Sequence, residues 1–75
     1  MRSWSHCTEV EQNHEVVGGV FVFRGTRIPV SALFENLEDG ASIDDFLEWF
    51  PGVQRFQIET VLEFASETLR EPLAA

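Results

Sequence analysis

The chain has 75 residues, which suffices for one small domain of marginal stability. Thirteen acidic residues stand against five arginines and no lysine, so the net charge of −8 disfavours phosphate and favours a basic partner. The single cysteine excludes an internal disulfide, and the apolar runs are too short to span a bilayer. A lone thiol without an export signal predicts a cytoplasmic protein with no membrane partner.

The N-terminal part divides into an arm and a β-like segment. Residues 1–14 are polar without clean periodicity and predict a flexible arm, so we expect the single domain over 15–75. The apolar run from Val16 to Phe23 contains Gly18-Gly19, which suits a two-residue hairpin turn with positive φ. Its second half, Val20 to Phe23, is apolar on both strand faces. We therefore expect another chain to cover one face, in a homodimer or hetero-oligomer.

Three later segments repeat the apolar spacing i, i+3, i+4, i+7 of a helix with one buried face. The stripes are Val30, Leu33, Phe34 and Leu37, then Ile43, Phe46, Leu47 and Phe50, then Ile58, Val61, Leu62 and Ala65, with Leu69 continuing the last. Pro29 suits a helix start and Gly40 a helix end, while Ser42 suits an N-cap. Pro51-Gly52 and Pro72 stop the second and third helices. Helices over 42–50 and about 54–70 favour a helix-turn-helix arrangement.

One stretch, from Gly18 to about Ala65, resembles the family called domain of unknown function 433 (DUF433). The residues that carry the resemblance are Gly18-Gly19, Phe23-Arg24-Gly25-Thr26-Arg27-Ile28-Pro29-Val30, Leu33-Phe34, Leu37-Glu38-Asp39-Gly40, Phe46-Leu47 and Phe50-Pro51. The resemblance implies a mainly α, three-helix, homeodomain-like fold with a short N-terminal β-hairpin or strand. It also implies the antitoxin of a type II toxin–antitoxin pair that neutralises a PIN-like ribonuclease toxin.

Candidate toxin-binding residues come from three groups. They are the acidic ridge Glu59, Glu63 and Glu67 on the third helix, the off-stripe aromatics Trp49, Phe56 and Phe64, and the arginines Arg24 and Arg27. An acidic ridge fits a basic rim, and exposed aromatics make good anchors. Each group also has a structural alternative: a solvated helix face, a wider core, or arginines that bond carbonyls at a turn.

Two other function classes stay open. A helix-turn-helix transcription regulator would use Arg24, Arg27, Gln54, Arg55 and Gln57 to contact DNA. Because the acidic ridge would face phosphates, we expect DNA binding only weakly or within a toxin complex. The third class is a structural or adaptor subunit.

Catalytic and metal chemistry are not expected. His6, Cys7 and His14 match no common zinc spacing, and no nucleophile–base pair is evident. The sequence therefore predicts a protein that is not an enzyme and has no metal or cofactor.

Overall fold

A computed structural model describes residues 3–12, 14–15 and 17–70, apart from the side chain of Val17. In this part of the chain three helices follow a two-stranded antiparallel sheet, so the predicted mainly α domain with a short N-terminal β element is confirmed. The elements are β1 (Val10–Gln12), β2 (Phe21–Phe23), α1 (Val30–Glu38), α2 (Ile43–Trp49) and α3 (Arg55–Arg70). A 3-10 turn precedes each strand, at Trp4–His6 and Val17–Gly19.

The helix boundaries follow local sequence signals. Pro29 is the N-cap of α1, and Gly40 lies just beyond its end with φ of 98°, a conformation that glycine adopts at low cost. Ser42 and Asp45 form a reciprocal capping box at the start of α2, with both hydrogen bonds 3.0 Å long. These signals explain why the helices predicted from the apolar stripes begin and end close to the expected residues.

The predicted hairpin is wrong in its pairing. β2 pairs with β1, with Val10 opposite Phe23, and not with the residues just before Gly18-Gly19; Val16 lies outside the described residues. Gly18 and Gly19 do adopt positive φ, at 78° and 60°, but they turn the chain within the longer connection over 13–20. The observed register places Val10 and Phe23 together in the core.

The flexible arm expected over residues 1–14 is wrong for residues 3–12. Cys7 and Val10 are almost completely buried in the main core, and Val10 begins β1. The ring of Trp4 packs on that of Phe64 in α3, with their centroids 4.8 Å apart. The N-terminal segment is thus part of the domain, and its apolar residues are too few and too irregularly spaced to show periodicity.

The core lies where the sheet meets the three helices. Its fully buried side chains include Phe23, Leu33, Phe46, Ile58 and Val61. Val22 and Phe23 point to opposite faces of β2, yet the same chain buries both completely. The expectation that another chain covers one face of the strand is therefore wrong at these two residues. Oligomerisation itself stays a prediction.

The described helices include none with the length and apolarity needed to cross a membrane.

Replacement of Phe46 tests which residues form the core. The ring of Phe46 stacks on Phe50 at 4.5 Å and lies 6.2 Å from Phe23, between centroids. We expect Phe46→Ala to lower the free energy of unfolding in urea by about 3–5 kcal/mol, much of the stability of so small a domain. The matched variant Phe56→Ala removes a half-exposed ring and should cost under about 1 kcal/mol. Equal losses in the two variants would contradict this assignment of the core.

Candidate functional site

A groove of about 410 Å³ runs along one face of α3, and the N-terminal segment at residues 6–8 forms its opposite wall. Five of the predicted toxin-binding residues line it, namely Phe56, Glu59, Glu63, Phe64 and Glu67. They come together because their spacing of three, four and one residues keeps them on one side of a helix. We call this feature the acidic groove.

The two phenylalanines of the acidic groove differ in exposure. Phe56 lies in the first turn of α3 and is 50% exposed, as expected from its position opposite the core stripe. Phe64 is only 7% exposed and packs on Trp4. The prediction of Phe64 as a surface contact is therefore wrong, since the ring belongs to the core beneath the groove. Phe56 is left as the aromatic side chain that a partner can reach there.

Trp49 offers a second exposed ring outside the acidic groove. It ends α2, is more exposed than Phe56, and precedes the turn that leads to α3. Its exposure favours the surface alternative for this side chain over a wider core, but Trp49 does not lie in the groove wall.

The two arginines of the Arg-Gly-Thr-Arg stretch have different surroundings. Arg24 Nε donates to the Thr8 carbonyl at 2.7 Å, and its Nη2 donates to the Val10 carbonyl at 3.1 Å. Arg24 therefore holds the N-terminal segment in place, which is the structural alternative for this residue. The Arg27 side chain is 77% exposed and forms a surface ion pair with Glu15 at 3.2 Å. Both side chains reach the surface, but Arg27 is the more exposed of the two.

Gln57 has a structural role that the sequence did not indicate. It is 6% exposed, and its Oε1 accepts a hydrogen bond from the Gln54 backbone N–H at 3.0 Å. Its Nε2 donates to the Arg24 carbonyl at 3.0 Å and to Glu9 Oε1 at 3.3 Å. The prediction of Gln57 as a DNA contact is wrong, because its amide is used inside the domain. The spacing Gln54 to Gln57, a cap residue followed three later by Gln, is the signal that could have found it.

The family assignment rests on a match to residues 10–65, described as "Protein of unknown function (DUF433)". The chain belongs to the DUF433 family. The match runs from β1 into α3 and includes Phe56, Glu59 and Glu63, whereas Glu67 and the groove wall at residues 6–8 lie outside it. No curated protein and no solved structure matches the chain.

The charges of this DUF433 domain are arranged asymmetrically. Each of the four arginines among the described residues is paired with a carboxylate: Arg24 with Glu11, Arg27 with Glu15, Arg55 with Asp44, and Arg70 with Glu63. These exposed pairs contribute little to stability. The cations of the described residues are thus matched locally, while the chain keeps its excess of acids. Arg55, a candidate DNA contact, is among them, and Gln54 is exposed beside it.

Metal and thiol chemistry find little support in the described residues of this DUF433 domain. They contain no group of three or more His, Cys, Asp or Glu side chains placed to hold a metal ion. His6 and Cys7 both line the acidic groove. Burial raises the pKa of the Cys7 thiol above its ordinary value, so this thiol is a poor nucleophile at neutral pH.

Gln57 can be tested against a neighbouring glutamine. Gln57→Ala leaves the Arg24 carbonyl and the Gln54 N–H without their partner, so we expect a loss of about 1–3 kcal/mol in the free energy of unfolding. Gln54→Ala makes the same chemical change at an exposed side chain and should cost about 0.5 kcal/mol or less. Urea denaturation followed by circular dichroism measures both. A Gln57→Ala variant as stable as Gln54→Ala would show that the buried amide is not a structural link.

Proposed function

We propose that this chain is the antitoxin of a type II toxin–antitoxin pair and neutralises a PIN-like ribonuclease toxin by direct protein–protein binding. The observation that carries the proposal is the acidic groove, which places the exposed ring of Phe56 in line with the carboxylates of Glu59, Glu63 and Glu67. A groove of this kind suits a basic protein surface and does not suit a nucleic-acid backbone. The toxin class comes from the family resemblance.

The acidic groove would act by competing with RNA. A PIN-like ribonuclease holds divalent metal with clustered carboxylates and needs basic residues around that centre to grip RNA. The carboxylates of α3 occupy such a basic rim, and attraction between the opposite charges raises the rate of association. Phe56, once buried at the interface, slows dissociation because its apolar surface must return to water.

Other side chains have secondary places in the proposal. Trp49 supplies a second exposed aromatic contact at the end of α2. Arg27 can exchange its exposed ion pair with Glu15 for a carboxylate of the toxin's metal centre, since such surface pairs are weak. Arg24 is not assigned this role, because carbonyl oxygens of the N-terminal segment already bind its guanidinium.

The transcription-regulator alternative ranks second. The arrangement of α2 and α3 fits it, but the observations on the candidate DNA contacts favour protein binding. Gln57 is buried, and Arg24, Arg27 and Arg55 each pair with an acid. DNA binding by the chain alone would need those pairs to break beside a surface with net negative charge. A toxin complex that brings its own cations avoids this difficulty.

Co-expression with the protein encoded by the neighbouring reading frame tests the main proposal. We expect the wild-type chain to restore growth, and Phe56→Ala to weaken binding by at least about 30-fold, the effect of losing an anchor residue. Phe56→Leu keeps apolar bulk at the same position and should retain most of the rescue. If the neighbour is not toxic, or the folded wild-type chain fails to rescue growth, the antitoxin proposal is wrong and the transcription regulator becomes the first alternative, with an adaptor role after it.

The electrostatic part has its own test in association kinetics with the purified toxin. A variant with Glu59, Glu63 and Glu67 all changed to Gln should associate about tenfold more slowly at low salt, and the deficit should vanish at high salt. The matched control changes three exposed glutamates outside the groove, Glu35, Glu38 and Glu48, to Gln. This control changes the net charge by the same amount but leaves the carboxylates of the groove in place. We therefore expect it to slow association less than the groove variant does. Equal slowing in both variants would locate the attraction in the overall charge and not in the groove.

A further inference from the structure

A second groove, of about 600 Å³, lies on the other side of α3. Trp4, Val20, Phe21, Phe34, Ala65 and Leu69 contribute to its lining, and we call it the apolar groove. Three of its side chains, Val20, Phe34 and Leu69, are exposed large hydrophobics. Exposed apolar side chains scattered singly need no explanation, but several in one concave surface mark an interaction site.

The apolar groove exists because α3 is longer than the helices that cover it. With 16 residues against 9 in α1 and 7 in α2, it is about 24 Å long against about 14 and 10 Å. Its core stripe runs through Ile58 and Val61, both fully buried, to Ala65 and then to Leu69, which is 83% exposed. The last turn of α3 therefore continues the core-facing apolar pattern past the part that the described residues cover.

Charge indicates what kind of surface covers this groove. Its lining, as far as the described residues form it, contains no charged side chain, although the chain carries a net charge of −8. Two copies of so acidic a chain repel each other over most of their surface, and an uncharged groove is where they can meet without opposing carboxylates. A basic partner, in contrast, gains nothing electrostatic here and is attracted to the acidic groove.

We propose that the apolar groove is the interface of a homodimer, in which the end of α3 from one copy enters the groove of the other. The groove holds both parts of a self-complementary contact. Leu69 protrudes from it, and the small side chain of Ala65 leaves room on the same helix one turn earlier. A two-fold interface requires this combination, since each copy must offer the same surface in both roles.

The homodimer has a consequence for stoichiometry, which rests on the proposed function. At 100° per residue, the side chains of α3 that line the two grooves point in directions about 160° apart. Dimerisation through the apolar groove therefore leaves both acidic grooves facing outward. Each dimer then has two equivalent toxin sites, and the saturated complex contains two chains and two toxins.

The test is the mass of the full-length chain by sedimentation and light scattering between about 1 µM and 1 mM, a range that covers weak dimers. We expect the wild type to reach twice its 8.5 kDa monomer mass within this range. Leu69→Glu should raise the dissociation constant at least about 100-fold, because it places like charges at the interface. Phe56→Glu makes the same change in charge on the opposite side of α3 and should leave dimerisation intact. Circular dichroism checks that both variants are folded.

Three results would overturn the proposal. A wild-type monomer at every concentration excludes the homodimer, whether the groove is open or is covered by residues 71–75. A Leu69→Glu variant that dimerises as well as the wild type places the interface elsewhere. A monomeric wild type whose toxin binding is lost in Leu69→Glu makes the groove a partner site. Failure of the antitoxin proposal is distinguishable, because it would appear as Phe56→Glu binding toxin normally while the dimer persists.

Discussion

Docking of the N-terminal segment onto α3 is the constraint on which the rest of this structure depends. Gln57 joins the start of α3 to the Arg24 carbonyl and to Glu9, while Arg24 in turn bonds the carbonyls of Thr8 and Val10. Trp4 completes the attachment by packing on Phe64. This attachment holds β1 against the helices and supplies one of the two walls of the acidic groove.

The four described arginines all form ion pairs within the domain, while the chain keeps a net charge of −8. Arg24 donates a hydrogen bond to the N-terminal segment, and Arg55 links the beginning of α3 to Asp44 in α2. A domain whose described arginines are already paired has few cations to offer to phosphates. This division explains why a helix-turn-helix arrangement does not by itself imply DNA binding, and why the surface beside Phe56 is better suited to a basic protein.

The parts of the fold that were predictable from sequence are those set by local chemistry. The apolar stripes gave the three helices, the Ser42 cap and Gly40 bounded them, and the helical wheel placed Phe56 outside the core. The parts that were missed depend on contacts distant in sequence. Two strands of three residues show no periodicity, and the burial of Gln57 follows from partners 33 and 48 residues away. Phe64 was ambiguous for the same reason, since its ring packs on Trp4 near the other end of the chain.

Under the proposed function, the wall of the acidic groove at residues 6–8 bears on which toxin the domain binds. It precedes the stretch that matches the DUF433 family, and His6 and Thr8 are exposed side chains whose replacement disturbs no helix. Domains with the same helical scaffold can thus acquire different groove walls through a few substitutions near the N-terminus. Under the proposed function, such substitutions would change which toxin is bound while folding stayed the same.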